Sequence, residues 1–198
     1  MERMKIYDLF DVSEIKVEDP GIRRCIALTP MLIPKNRGKA RTRFAKSEVN
    51  ILERLVNLLS VPGHRGKKHK VMTKHATGKW SKNVLVLIKA LQIIEKKMNQ
   101  NPIQVFIKAV ENTAPRDEIT TIEYGGAKYP QAVDVSPLRR VNLALRNIVH
   151  GAQDKSFNKK KPLPQALAEE IMGAANESND SFAFSKRIET EKMADSAR

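Results

Sequence analysis

The sequence predicts a mainly α protein: a bundle of about six helices, one projecting two-stranded β-ribbon and a basic N-terminal arm. Apolar residues recur at helical spacing in successive segments, the period changes to two only around Gly125-Gly126, and positive charge is concentrated in residues 34–82. The chain divides into an acidic leader (1–20), an extended basic arm (21–46) and a single helical domain (47–198) that carries an insert at 62–80 and the ribbon at 118–135.

The leader holds six acids against three bases, and Asp19-Pro20-Gly21 marks a break after it. It either stays solvated or folds back onto a basic neighbour. Ser47 is a good N-cap for the first helix, which brings Leu52, Leu55, Val56 and Leu59 onto one face before Val61-Pro62-Gly63 stops it. A longer helix over 81–98 carries a wide stripe of Val84, Leu85, Leu87, Ile88, Leu91, Ile94 and Met98, so it packs against more than one neighbour. Asn101-Pro102 opens a third helix with Val105, Phe106, Ala109 and Val110 inward.

Two β-branched and aromatic runs, 119–124 and 129–135, then flank Gly125-Gly126-Ala127-Lys128, which reads as a hairpin turn. Pro130 cannot donate to a ladder, so its strand is an edge or is locally unpaired there. Ser136-Pro137 starts a fourth helix with Leu138, Val141, Leu145, Ile148 and Val149 inward, leaving Arg139, Arg140 and Arg146 outward or along the rim. A basic linker over 155–162 leads to a helix over 164–176 and a weaker one over 182–194.

Residues 34–82 contain fourteen Lys and Arg against Glu48 and Glu53, a net +12 of the chain's +14. All of these cations except Arg54 lie in two acid-free runs, one from Lys35 to Lys46 and one from Arg65 to Lys82. Such runs repel themselves unless a partner neutralises them, and each cation that meets a phosphate releases a condensed counterion, so nucleic acid is the favoured partner over a diffuse anionic membrane. The longest nearly uncharged apolar stretch, Val84-Leu85-Val86-Leu87-Ile88, is far short of the roughly 20 residues that span a bilayer. The first eight residues lack an apolar stretch after a basic start, and the lone Cys25 suits a reducing compartment; the expectation is a cytoplasmic protein.

Sharper chemistries fit poorly. His64, His69 and His75 lie among cations without a ligand spacing, so no metal or cofactor is expected. Neither Gly63-His64-Arg65-Gly66-Lys67 nor Gly78-Lys79 matches a phosphate loop, and Asp117, Glu118 and Glu123 read as ribbon positions rather than an acid-base pair. No catalytic constellation or small-molecule substrate site is visible, and Trp80 either stacks on a base or packs at a helix start.

The order Val110-Glu111-Asn112, Ala114-Pro115-Arg116, Tyr124-Gly125-Gly126-Ala127-Lys128-Tyr129, Asp134-Val135-Ser136-Pro137-Leu138-Arg139-Arg140 and Leu143-Ala144-Leu145-Arg146 closely resembles the family of ribosomal protein seven of the small subunit. The resemblance spans about residues 44–176 and is most specific over 110–146. The acidic leader and the His-rich insert look like the archaeal or eukaryotic branch, and Pro130 sits earlier in the returning strand than the usual bacterial proline.

The resemblance implies a structural constituent of the small ribosomal subunit, not an enzyme. It implies a primary binder of small-subunit rRNA that nucleates assembly of the subunit head at the interface side near the decoding region. It further implies a ribbon reaching toward exit-site tRNA from a tip at Gly125, Gly126, Lys128 and Tyr129, with small-subunit ribosomal proteins nine and eleven as neighbours.

A-form RNA hides its base edges, so contacts should fall on phosphates, 2′-hydroxyls and junction shape. The cations expected to supply them are Lys35, Arg37, Lys39, Arg41, Arg43, Lys46, Arg65, Lys67, Lys68, Lys70, Arg116, Arg139, Arg140 and Arg146. Arginines suit bidentate phosphate contacts. Tyr124 and Tyr129 either stack on a base or form a cross-strand pair. The alternative reading is an architectural DNA-binding protein, which would share the basic arms and the ribbon.

Overall fold

The computed structural model describes residues 5–36, 38, 40–60 and 78–198, and residues 64–65 and 70–71 by their backbone. In chain order its helices are α1 (Pro20–Arg23), α2 (Ile51–Ser60), α3 (Trp80–Met98), α4 (Pro102–Thr113), α5 (Pro137–Ser156), α6 (Leu163–Ala175) and α7 (Phe182–Asp195). Strands β1 (His64–Arg65) and β2 (Lys70–Val71) pair antiparallel, as do β3 (Asp117–Tyr124) and β4 (Ala127–Asp134). The mainly helical fold with one long ribbon is as the pattern predicts. The pairing of β1 with β2 inside the insert and the four-residue α1 were not foreseen, because elements this short show no periodicity. The stop at Val61-Pro62-Gly63 and the side chains of His64, His69 and His75 lie outside the described residues.

Two boundaries are corrected. The helix expected from Ser47 starts at Ile51: Ser47 sits in a 3-10 turn (Ala45–Glu48) with its hydroxyl donating to the Phe44 carbonyl. Asn50 caps α2 instead, its Oδ1 accepting the Leu52 N–H at 3.0 Å while its amide donates to the Thr29 carbonyl. The basic linker begins after Ser156, because Lys155 stays in the last turn of α5 to reach Glu170.

Helix α6 lies at the centre, packed against α3, α4 and α5. Its buried face is Ala166, Leu167, Ala168, Ile171, Ala174 and Ala175, and the four alanines let three helices approach it closely. Phe106, Leu87, Leu91, Ile94, Leu145 and Ile148 fill the spaces between them. Each such buried side chain contributes about 1.5–3 kcal/mol relative to exposure.

Glu170 is fully buried where α6 meets the start of α7. Its Oε1 accepts the Ser181 hydroxyl at 2.8 Å and the Ala183 N–H at 3.0 Å, and its Oε2 meets Lys155 Nζ at 2.6 Å. Gly151 on α5 makes room for that carboxylate: a Cβ there would lie 2.6 Å from Glu170.

Ile6 and Phe10 enter the core, so the described part of the leader is docked rather than solvated. One face of α4 serves as its hydrogen-bonding edge. Asn101 donates to the Asp11 carbonyl, Gln104 exchanges bonds with the Lys16 backbone, and Glu111 accepts the N–H groups of Glu18 and Asp19. Asp19 then meets Arg140 at 2.8 Å. The segment that follows is likewise held, with Ile22 and Ile26 buried and the Ala27 carbonyl bonded to the Ile51 N–H.

Candidate nucleic-acid interface

The expected RNA-binding cations fall into three environments. Lys35, Arg41, Arg43, Lys46, Arg116, Arg139 and Arg146 are exposed, whereas Arg37, Lys39, Lys67 and Lys68 lie outside the described residues, as do the side chains of Arg65 and Lys70. Arg140 is buried. It donates through Nε to the Pro115 carbonyl at 3.2 Å and through a terminal nitrogen to Asp19, and so is corrected from a surface cation to the clasp that holds the leader on α5. Sequence spacing misses this because Asp19 is remote in the chain.

Arg139 is also paired, bidentate to Glu118 at 2.6 and 2.8 Å, which ties the start of α5 to the base of the ribbon. Donation to the Glu118 carboxylate holds the Arg139 guanidinium above its ordinary pKa. The helix start is therefore occupied by internal carboxylate partners. Lys35 holds its ammonium 4.7 Å above the Trp80 ring, which takes one face of that ring from base stacking.

The arm is pinned where it crosses α2, with the Asn36 N–H donating to Glu53 at 2.8 Å. Beyond that point Phe44 is 64% exposed in the left-handed backbone region, with the Arg43 guanidinium 5.0 Å from its ring. The fold brings Lys46 together with Arg146 of α5 and with Arg54 of α2. Burial, then the positive charges of Arg54 and Arg146, holds the Lys46 ammonium below its ordinary pKa. Arg54 is absent from the sequence candidates because a lone cation between Leu52 and Leu55 reads as part of an apolar helix face. It is 3% exposed.

The turn of the ribbon is two residues, Gly125 (φ 59°) and Gly126 (φ 81°), tighter than the four expected. Lys128 therefore belongs to β4, opposite Glu123, and Pro130 stands opposite Thr121. Tyr129 faces Ile122 and Tyr124 faces Ala127, so the two tyrosines are diagonal neighbours on one face rather than a direct pair. Gly125, Gly126, Lys128 and Tyr129 are all exposed.

A cleft of about 690 Å³ at the ribbon base is lined by Glu18, Asp19, Glu111, Asp117 and Glu191 among others; Asp19 pairs with Arg140, Asp117 with Arg198 and Glu191 with Arg187, and Glu111 accepts backbone N–H groups. Among the described residues no group of three or more His, Cys, Asp or Glu could hold a metal ion, and no helix is long and apolar enough to cross a membrane.

This helix-ribbon-helix unit with a cation face agrees with a wider sequence relationship. A profile described as ribosomal protein S7p/S5e matches residues 22–198. The chain belongs to that family. A protein of Nanoarchaeum equitans named small ribosomal subunit protein uS7 is 50% identical over 197 residues, covering 99% of this chain and 100% of its own. Proteins of the same name are 44% identical in Methanosphaera stadtmanae, over 98% of both chains, and 42% identical in Archaeoglobus fulgidus, over 100% of this chain and 96% of that one. All three are archaeal, in keeping with the branch suggested by the leader and the insert.

Proposed function

We propose that this protein is a structural constituent of the small ribosomal subunit that binds rRNA directly and nucleates assembly of the subunit head. It acts as a non-enzymatic scaffold on cytoplasmic ribosomes, at the interface side near the decoding region. The ribbon tip faces exit-site tRNA, and ribosomal proteins nine and eleven of the small subunit are its neighbours. The observation that carries this reading is family membership over nearly the whole chain, joined to an exposed, acid-poor face formed by Arg41, Arg43, Lys46 and Arg146. Lysines and arginines without internal carboxylates are what a phosphate-dense partner neutralises.

The test is binding of the purified protein to isolated small-subunit head-junction RNA across a salt series, with duplex DNA as competitor. Tight, salt-sensitive binding that survives the DNA is expected. Equal competition by DNA would favour an architectural DNA-binding protein and overturn the rRNA reading. Crosslinking from Tyr129 to tRNA on assembled subunits tests the ribbon assignment separately.

A further inference from the structure

The basic arm, α2 and α5 enclose a cleft of about 280 Å³ whose wall includes Lys46, Arg54, Asn57 and Asn142, with Glu53 as its acid among the described lining residues. We propose that this cleft binds one backbone phosphate of the RNA, with Arg54 as its buried charge and Lys46 and Arg146 as its rim. The inference rests on the rRNA-binding reading and assigns it a particular site.

Arg54 is held by neutral partners alone among the described residues. One terminal nitrogen donates to the Cys25 carbonyl at 2.8 Å and the other to Asn142 Oδ1 at 3.1 Å, while its buried Nε–H has no hydrogen-bond partner. Both acceptors are neutral. They orient the guanidinium without cancelling its charge, and among the described residues Arg54 is in no ion pair. A buried charge without a counter-charge is costly, and in proteins it is normally matched by an opposite charge.

Lys46 and Arg146 add like charge, and neither is in an ion pair among the described residues. Glu53 answers only in part, since its Oε2 is engaged by the Asn36 N–H. Among the described residues that line the cleft, Glu53 is the acid that stands with these cations. An anion entering beside Asn57 and Asn142 would relieve the repulsion and meet amide donors.

A phosphodiester presents two charged oxygens that match planar guanidinium donors, and the exposed Arg41 and Arg43 continue the positive surface along which a strand would run. A carboxylate from a protein neighbour would answer only the cleft and leave that continuation unused.

The experiment compares full-length wild type with Lys46→Gln, Arg146→Gln and the double variant. A Lys108→Gln, Lys192→Gln pair, exposed on other helices, controls for net charge. The cleft pair should lose roughly tenfold in head-junction RNA affinity and shed about 0.7–0.9 of salt slope per residue changed. The melting temperature of the free protein should hold or rise, because repulsion around Arg54 is relieved. The control pair should leave RNA affinity nearer wild type.

Inorganic pyrophosphate provides an RNA-free arm: it should raise the melting temperature of wild type and not of the cleft pair. If RNA fails to bind wild type but the pyrophosphate difference persists, the rRNA reading falls and the anion site stands. An affinity loss no greater than that of the control pair overturns the inference, as does an equal pyrophosphate response in wild type and cleft pair.

Discussion

Single residues at two points hold elements that the helical periodicity does not connect. Gly151 is required by what lies opposite it, since Glu170 occupies the space a methyl group would take. Gly151→Ala gains up to about 1 kcal/mol of helix propensity but overpacks a fully buried carboxylate, which costs about 1–3 kcal/mol and exposes it to loss of its Lys155 and Ser181 partners. Chemical denaturation should therefore show a net loss of stability, whereas the same change at exposed Gly78, where a Cβ meets nothing within 4 Å, should not.

The clasp of the leader depends on pH. Burial alone would raise the Asp19 carboxyl, but the Gly21 N–H, Arg140 and Arg116 together outweigh it and hold the carboxyl below its ordinary value. A depressed carboxyl contributes stability above its unfolded pKa of about 3.9 and loses it as pH falls through the lower folded value. Glu111 works in the opposite sense. Burial raises its carboxyl, as do the nearby charges of Glu18 and Asp19, against two N–H bonds, so its ionisation as pH rises through that value costs stability. The protection factors of the Ile6 and Phe10 amides, which bond each other's carbonyls, should fall below about pH 4 in wild type and show a weaker pH dependence in Asp19→Asn.

At the scale of elements, the ribbon is held at its base rather than along its length. Two strands alone are marginal in water, and every residue from Ile119 to Gln131 is exposed. Order comes from α7, through Glu191 accepting the Arg116 N–H, from Arg198 beyond that helix on Asp117, and from Arg139 on Glu118. The two-residue turn needs positive φ at both glycines. Gly126→Val should cost about 1–2 kcal/mol at the tip and quicken exchange of the tip amides, with the helical circular dichroism unchanged. A loss of helix signal would mean that the ribbon supports the bundle.

Across the whole molecule, charge is segregated by what the core can tolerate. The acidic leader and α4 satisfy one another, while residues 34–46 and Arg146 retain cations that the described structure leaves without acids. Deleting residues 34–43 should reduce the magnitude of the salt slope of RNA binding, because it removes Lys35, Arg37, Lys39, Arg41 and Arg43. An unchanged slope would take the arm out of the phosphate-contacting surface. Some loss of stability should accompany the deletion, since the Asn36 N–H leaves Glu53.

Local chemistry made most helices, the ribbon and the basic surface legible in the sequence. Proline after a capping residue, apolar spacing near 3.6 and a Gly-Gly turn act within a few residues and do not depend on the rest of the fold. Only the tertiary structure decided that Arg140 is buried against Asp19, that Glu170 needs Gly151, and that Arg54 joins Lys46 and Arg146. Each of these depends on side chains brought together from distant positions, where burial determines whether a charge finds an internal partner or remains for an external one.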